Sequence, residues 1–253
     1  MDPLAKGAIA LVCVLGGGWL GIVSRKHVPN EYQGSDSKES VRLAMGLVVT
    51  TVAIALGLLV GSSKSFYDTQ NAEMAQIAAN YIVLDRLLGY YGPEADGTRA
   101  ELRTVLAERV GNPGRRMAAN ESYKEVRSGA QIGDVLFEQI RQLTPKDDNQ
   151  RYLKQQSLNV MIQLGEERWL MYEQNTVPFP RFLLVILVVW LALLFASFGI
   201  FAPGNPLVLG GHFVAATAVC GAILLILAMY NPQGMLIQVS DAPLRAALEA
   251  LGR

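Results

Sequence analysis

The chain has 253 residues, of which 51% are apolar and 17% charged, and its formal net charge is zero. A positive mean hydropathy of +0.26 sets it apart from soluble domains of this length, and the balanced charge offers no basic footprint for nucleic acid. Its two cysteines, Cys13 and Cys220, each fall in the middle of an apolar block, so a disulfide framework is excluded and both read as small buried hydrophobes.

The apolar residues are gathered into four blocks that approach the ~20 residues a bilayer requires: Leu4 to Val23, Leu43 to Val60, Phe182 to Phe201 and Leu207 to Met229. The chain is therefore expected to cross a lipid bilayer several times. In the first block Lys6 precedes an apolar run, as in a secretory signal. However, there is no A-x-A-like cleavage site, Gly21-Ile22-Val23-Ser24-Arg25-Lys26 closes the run, and a second span follows, so it reads as a retained helix. Gly16-Gly17-Gly18 and the GxxxG pair Gly17 and Gly21 cost helix stability, and they point to close packing or a local bend.

The second block passes into an amphipathic segment with no proline, and no glycine beyond Gly61, before Gly89. This predicts a helix continuous from Gly57 to Tyr91 that joins a membrane span to a water-exposed domain. Gly46, Thr50, Ala53, Gly57, Gly61, Lys64 and Asp68 follow one another at steps of three or four, which puts small and polar residues along one helix face. Gly57 and Gly61 form a second GxxxG. Such a stripe is either a packing seam or, in an oligomer, a pore wall. Two features keep the pore in play. The hydroxyls of Thr50, Thr51, Ser62 and Ser63 can replace part of an ion's hydration shell. Lys64 and Asp68, spaced i,i+4 just beyond the span, would recur as a ring of charge, with Asn71 and Glu73 one turn later. In a single copy the same pair contributes only about 0.2–0.5 kcal/mol.

A polar middle of roughly 120 residues follows. Ile77, Tyr81, Leu84 and Leu88 form an apolar face that ends at Gly89 and Gly92-Pro93. A helix from about Glu94 to Val110 carries Leu102, Val105, Leu106 and Val110 and stops at Gly111-Asn112-Pro113-Gly114. After a polar loop, Ile132, Val135, Leu136, Ile140 and Leu143 mark a third helix closed by Thr144-Pro145. A fourth runs from about Asp147 to Gln174, until Pro178 and Pro180 introduce the third span. No segment alternates with period two, so the fold class is all-α. The expected layout is a first transmembrane hairpin (1–62), a helical bundle continuing the second and third spans (63–180), a second hairpin (181–230) and a tail (231–253). The two extensions are expected to pack as a stalk. In the tail, Ser240-Asp241-Ala242-Pro243 starts a short helix lined by Leu244, Leu248 and Leu251, placed in the interface or docked on the bundle.

No catalytic set is present. His27 and His212 sit at span ends rather than in a cluster, no metal, phosphate-loop or nucleophile motif occurs, and Asp147-Asp148 reads as helix-start charge. No enzyme activity, cofactor or metal is expected. For orientation, the loop after the first span carries Arg25, Lys26, Lys38 and Arg42, whereas Lys6, Lys64, Arg181, Arg245 and Arg253 gather on the opposite side. Weighting the first helix keeps Arg25-Lys26 cytoplasmic and puts the bundle and both termini outside.

From Ser63-Lys64-Ser65-Phe66-Tyr67-Asp68-Thr69-Gln70-Asn71-Ala72-Glu73 through Ala78-Ala79-Asn80, Leu84-Asp85-Arg86-Leu87-Leu88 and Tyr91-Gly92-Pro93-Glu94, the chain resembles the bestrophin-like family of bacterial integral membrane proteins. The likeness extends to Glu167-Arg168-Trp169-Leu170, Phe195-Ala196-Ser197-Phe198-Gly199, Phe201-Ala202-Pro203, Leu236-Ile237-Gln238-Val239-Ser240 and Ala242-Pro243-Leu244-Arg245, and so to nearly the whole chain. It implies a multi-pass protein of the bacterial cytoplasmic membrane and, by analogy with bestrophin anion channels, a homo-oligomer that passes inorganic ions. Where similar proteins are expected to carry an acid near the end of the last span, this chain reads Leu227-Ala228-Met229-Tyr230. The leading expectation is an ion channel lined by the second span and gated by the bundle. The alternative is a non-conducting sensor or scaffold whose bundle binds a partner. A transporter is disfavoured, because no ionisable residue lies deep in the membrane and no inverted repeat occurs.

Overall fold

The computed structural model describes residues 3–27, 35–111, 133–176, 181–201, 205–230 and 237–251. The loop read after Gly111, the start of the third bundle helix at Ile132, Pro178 and Pro180, and Ala202-Pro203 lie outside the described residues.

The described elements are helical. In chain order they are α1 (Pro3–Ser24) followed by a 3-10 turn at Arg25–His27, α2 (Ser35–Tyr91), a second 3-10 turn at Pro93–Ala95, and α3 (Asp96–Gly111). Then come α4 (133–142), α5 (Asp148–Thr176), α6 (Arg181–Phe201), α7 (Pro206–Met229) and α8 (Ala242–Ala250). Four of these, α1, α2, α6 and α7, are long and apolar enough to cross a membrane. The helix expected from Gly57 to Tyr91 is one 57-residue element that begins at Ser35. The chain forms two compact units: Met1–Phe66 with Pro178–Gly234, and Tyr67–Val177 with Met235–Arg253.

In the first unit α1 packs on α6 and α7. The α1–α6 approach is set by glycine. A Cβ at Gly17 would stand 2.5 Å from the Ala192 carbonyl oxygen, and one at Gly21 would overlap that of Ala196, so two helix backbones touch where neither could with side chains between them. The core of this unit contains Val14, Leu187, Leu191, Leu194, Ala216 and Ile223, and α2 contributes Val52 with Met45, Val48, Ala55, Leu56 and Leu59 packed against it. Asn205 caps α7, its side chain accepting from the Leu207 amide at 3.1 Å, and Pro206 takes the first position, where no amide is needed.

The second unit is built on the face that Ile77, Tyr81, Leu84 and Leu88 present from α2. All four are 0–1% exposed, and they join Leu102 and Leu106 of α3, Leu136 and Ile140 of α4, and Leu153 and Leu164 of α5. After α2, Gly92 adopts φ 119°, a left-handed conformation that a Cβ would strain. Gln150 Nε2 donates to the freed Tyr91 carbonyl at 2.9 Å, so the C-terminus of α2 is capped from α5. Asp147 Oδ1 accepts from the Gln150 amide at 2.7 Å, the helix-start contact that its charge and position led us to expect. Lys154 Nζ donates to the Arg141 and Leu143 carbonyls at 2.7 and 2.8 Å, closing the end of α4. In the tail, Leu244, Ala247 and Leu251 are buried in the same core and α8 lies on α3.

Candidate functional site

The face singled out in the sequence belongs to α2. In its inner half the side chains that join the core are Met45, Val48, Val52, Ala55, Leu56 and Leu59. At about 100° per residue these occupy one side of the helix, and Gly46, Thr50, Ala53, Gly57, Gly61, Lys64 and Asp68 fall on the opposite one. All seven are exposed. Among the described residues, no heavy atom beyond the helix's own adjoining backbone lies within 4 Å of a Cβ placed at Gly57 or Gly61. Beside this stripe runs an exposed apolar ridge of Leu43, Leu47, Ile54 and Leu58. Only 6% of the most apolar window of α2 is buried inside the chain, against 33%, 28% and 39% for α1, α6 and α7. Three spans therefore find much of their packing within the chain, and α2 does not.

The expected hydroxyls separate by orientation. Thr50 is exposed and its Oγ1 donates to the Leu47 carbonyl at 2.8 Å, and Thr51, also exposed, donates to the same carbonyl at 2.9 Å. A carbonyl can only accept, so both protons turn inward and lone pairs are left outward. Ser63 is fully buried on the inner side, donating to the Leu59 carbonyl at 2.6 Å. Ser62 lies toward the rear of the helix, 3.1 Å from the Tyr230 hydroxyl. The structure thus brings Thr50, Gly57, Gly61, Lys64 and Asp68 to one face, sets Thr51 off to its side, and turns Ser62 and Ser63 away.

Two features stood out little or not at all in the sequence. At the end of α7, Tyr230 stacks on Phe66 with ring centroids 5.2 Å apart and planes inclined by 12°. The residue that drew notice because an acid was expected near it is therefore an aromatic clasp on α2. The second feature is a polar layer that α2 shares with α5 and α3. Asn80 Nδ2 donates to Glu167 Oε1 at 2.8 Å, Arg168 donates to the Tyr81 hydroxyl at 3.2 Å, and Arg99 binds Asp85 through two nitrogens at 2.9 and 3.0 Å. Burial pushes the Glu167 carboxyl above its ordinary range; the Asn80 hydrogen bond opposes this and the Glu73 charge adds to it. Burial would likewise push the Tyr81 phenol up, but the guanidinium groups of Arg168 and Arg109 outweigh it and hold Tyr81 below its usual value. Both were hard to see because their partners are remote in sequence, although Asn80, Glu167, Arg168 and Tyr230 all fall in or beside stretches noted above. Among the described residues no group of three or more His, Cys, Asp or Glu side chains is arranged to hold a metal ion.

The fold and this face define an α-helical, multi-pass membrane protein whose second span is largely uncovered by its own chain. A family model for the bestrophin-like domain matches residues 10–244, and the chain belongs to that family. Among curated proteins no relative matches. Among solved structures the chain is similar to a variant of a bacterial bestrophin homolog from Klebsiella pneumoniae, with 17% identity, a TM-score of 0.66 and coverage of 99% of this chain and 97% of that one. A second variant of that homolog gives 14% identity, a TM-score of 0.65 and coverage of 98% and 97%. A structure described as a membrane protein variant gives 16% identity, a TM-score of 0.59 and coverage of 94% and 95%. At these identities the likeness is one of fold.

Proposed function

We propose that the chain forms a homo-oligomeric ion channel in the bacterial cytoplasmic membrane, with α2 from each copy around the pore and the helical bundle as gate or sensor. The observation that carries this reading is the uncovered face of α2, where small residues, the Thr50 hydroxyl and the Lys64–Asp68 pair share one side of a span that its own chain leaves open. Membership in a family named for its likeness to bestrophins supports the same reading. In a ring of copies Gly57 and Gly61 would let the helices converge, Thr50 and Thr51 would offer oxygen lone pairs to a partly dehydrated ion, and Lys64 with Asp68 would form a charged mouth. Ser62 and Ser63 complete the proposed lining only if α2 turns about its axis, since both now face away from the stripe. The bundle, residues 63–180 together with the tail, is placed outside the cytoplasm by the Arg25-Lys26 pair that follows the first span.

The test is ion flux into liposomes holding the purified protein, with the size of the assembly measured in parallel. Wild type is expected to conduct as an oligomer. Lys64→Glu should raise the cation-to-anion permeability ratio about fivefold or more, since one unit charge at ~4 Å is worth ~1 kcal/mol even in bulk water. A monomer, or a ring whose axis is filled by lipid or packed side chains, would overturn the channel. In that event the bundle becomes the functional part, as a partner-binding sensor on a membrane anchor.

A further inference from the structure

Tyr230 closes α7 and is held there from several sides. Its amide donates to the Ile226 carbonyl at 3.1 Å, its ring lies flat on Phe66, and its hydroxyl meets Ser62 Oγ at 3.1 Å. Ser62 and Phe66 are four residues apart, and therefore neighbours on one face of α2, so a single side chain grips a full helical turn. By helix period this grip lies about 150° around α2 from the face that carries Gly61, Lys64 and Asp68. It also lies within one turn of Gly61, where the helix has no side chain and, among the described residues, no neighbour from another element to stiffen it. A helix held from behind at such a point has its rotation about its own axis constrained there by the holder, beyond the last core contacts of Leu59 and the buried Ser63.

We infer that Tyr230 is a positioning residue that sets the rotation of α2 from its rear face and thereby determines which groups around Lys64 meet the permeating ion; this rests on the channel reading above. The hydroxyl and the ring act together. The ring stack resists both sliding and turning of α2, because either motion carries Phe66 off the Tyr230 ring. The hydrogen bond resists rotation, because Ser62 leaves its reach when α2 turns in either direction.

The experiment compares wild type, Ser62→Ala, Tyr230→Phe and the double variant. Each single change removes one oxygen and leaves the ring stack in place, and size-exclusion chromatography verifies that the assembly is intact. Two readouts are taken: the potassium-to-chloride permeability ratio in liposomes, and amide hydrogen exchange over residues 57–66. Each single variant should shift the ratio about three- to tenfold, the range that one hydrogen bond supplies, and should quicken exchange by a similar factor. The double variant should go no further than the singles, because both cut the same bond. Tyr230→Ala, which also loses the stack, should shift both readouts beyond Tyr230→Phe. Singles that conduct and exchange like wild type, or a double equal to the product of the singles, would overturn the inference and leave the channel standing. Wild-type vesicles without flux would overturn the channel instead. The hold on α2 is then judged by exchange alone, upheld if both singles quicken it and overturned otherwise.

Discussion

Two GxxxG stripes occur in neighbouring transmembrane helices of this chain, and their surroundings differ. Gly17 and Gly21 of α1 lie against the backbone of α6 at Ala192 and Ala196, whereas among the described residues nothing beyond the helix's own adjoining backbone comes within contact range of Gly57 and Gly61 of α2. The contrast recurs along α2 itself. Its apolar window is 6% buried, yet one stretch further on Tyr81, Leu84 and Leu88 are completely buried. A small-residue stripe says only that something approaches closely. Whether the approach is made within the chain depends on whether another helix of that chain is there to make it.

The largest expected effect tests the packed stripe. Gly21→Ala forces α1 and α6 apart at a backbone contact, and should cost about 3 kcal/mol or more, read as a collapse of the thermal midpoint and of folded yield in detergent. If this variant is as stable as wild type, the two stripes do not differ as argued. Next, the two halves of α2 are compared by truncating one leucine in each. Leu84→Ala leaves a cavity in the bundle and should cost about 3 kcal/mol, while Leu58→Ala, on the exposed ridge, should cost under about 0.5 kcal/mol in the same unfolding measurement. Gly61→Ala should change stability in the opposite sense, gaining up to about 1 kcal/mol for α2 as a helix while altering assembly or flux. A gain in stability with assembly and flux unchanged would show that nothing approaches this stripe.

The smallest effect concerns Glu167. Its carboxyl is held above the ordinary range, chiefly by burial, so the folded bundle keeps its proton to higher pH than the unfolded chain does. The charge therefore lowers stability above the folded-state pKa, and the loss disappears as pH falls below the unfolded value. Glu167→Gln keeps an acceptor for Asn80, and its midpoint should exceed that of wild type at pH 7 and converge with it as the solution is acidified. A constant gap between the two across that range would mean that Glu167 titrates normally.

Much of the architecture could be read from the chain because it is written in local patterns. The four apolar blocks gave the four candidate spans, the four-three-four spacing from Ile77 to Leu88 gave the buried face of the bundle, and Gly92-Pro93 marked the turn that Gly92 makes at φ 119°. The start of α2 at Ser35 was not legible, since Ser35 to Arg42 is polar apart from Val41 and carries no apolar period to announce a helix. The sidedness of single residues was legible only in part. The stripe from Gly46 to Asp68 shares a face, but Ser63 was grouped with it by residue type, and its position on the helix turns it inward. Pairs remote in sequence escaped altogether. Asn80 and Glu167 are 87 positions apart and Ser62 and Tyr230 are 168 apart, and no periodicity links residues that meet only after the chain has folded.

The docking of α8 has a consequence for biogenesis. Leu244, Ala247 and Leu251 complete a core whose other members precede α6 and α7 in the chain. That core can close only if the two spans between them carry the chain out and back, so that an even number of crossings is enforced by packing as well as by hydropathy. Between the end of α5 at Thr176 and the start of α8 at Ala242 the ribosome adds about 65 residues, which at ~5–20 residues per second takes ~3–13 s. Throughout that interval the nascent bundle lacks its final helix, and the site on α3 that α8 will cover stays open to chaperones, to proteases and to neighbouring copies still being made.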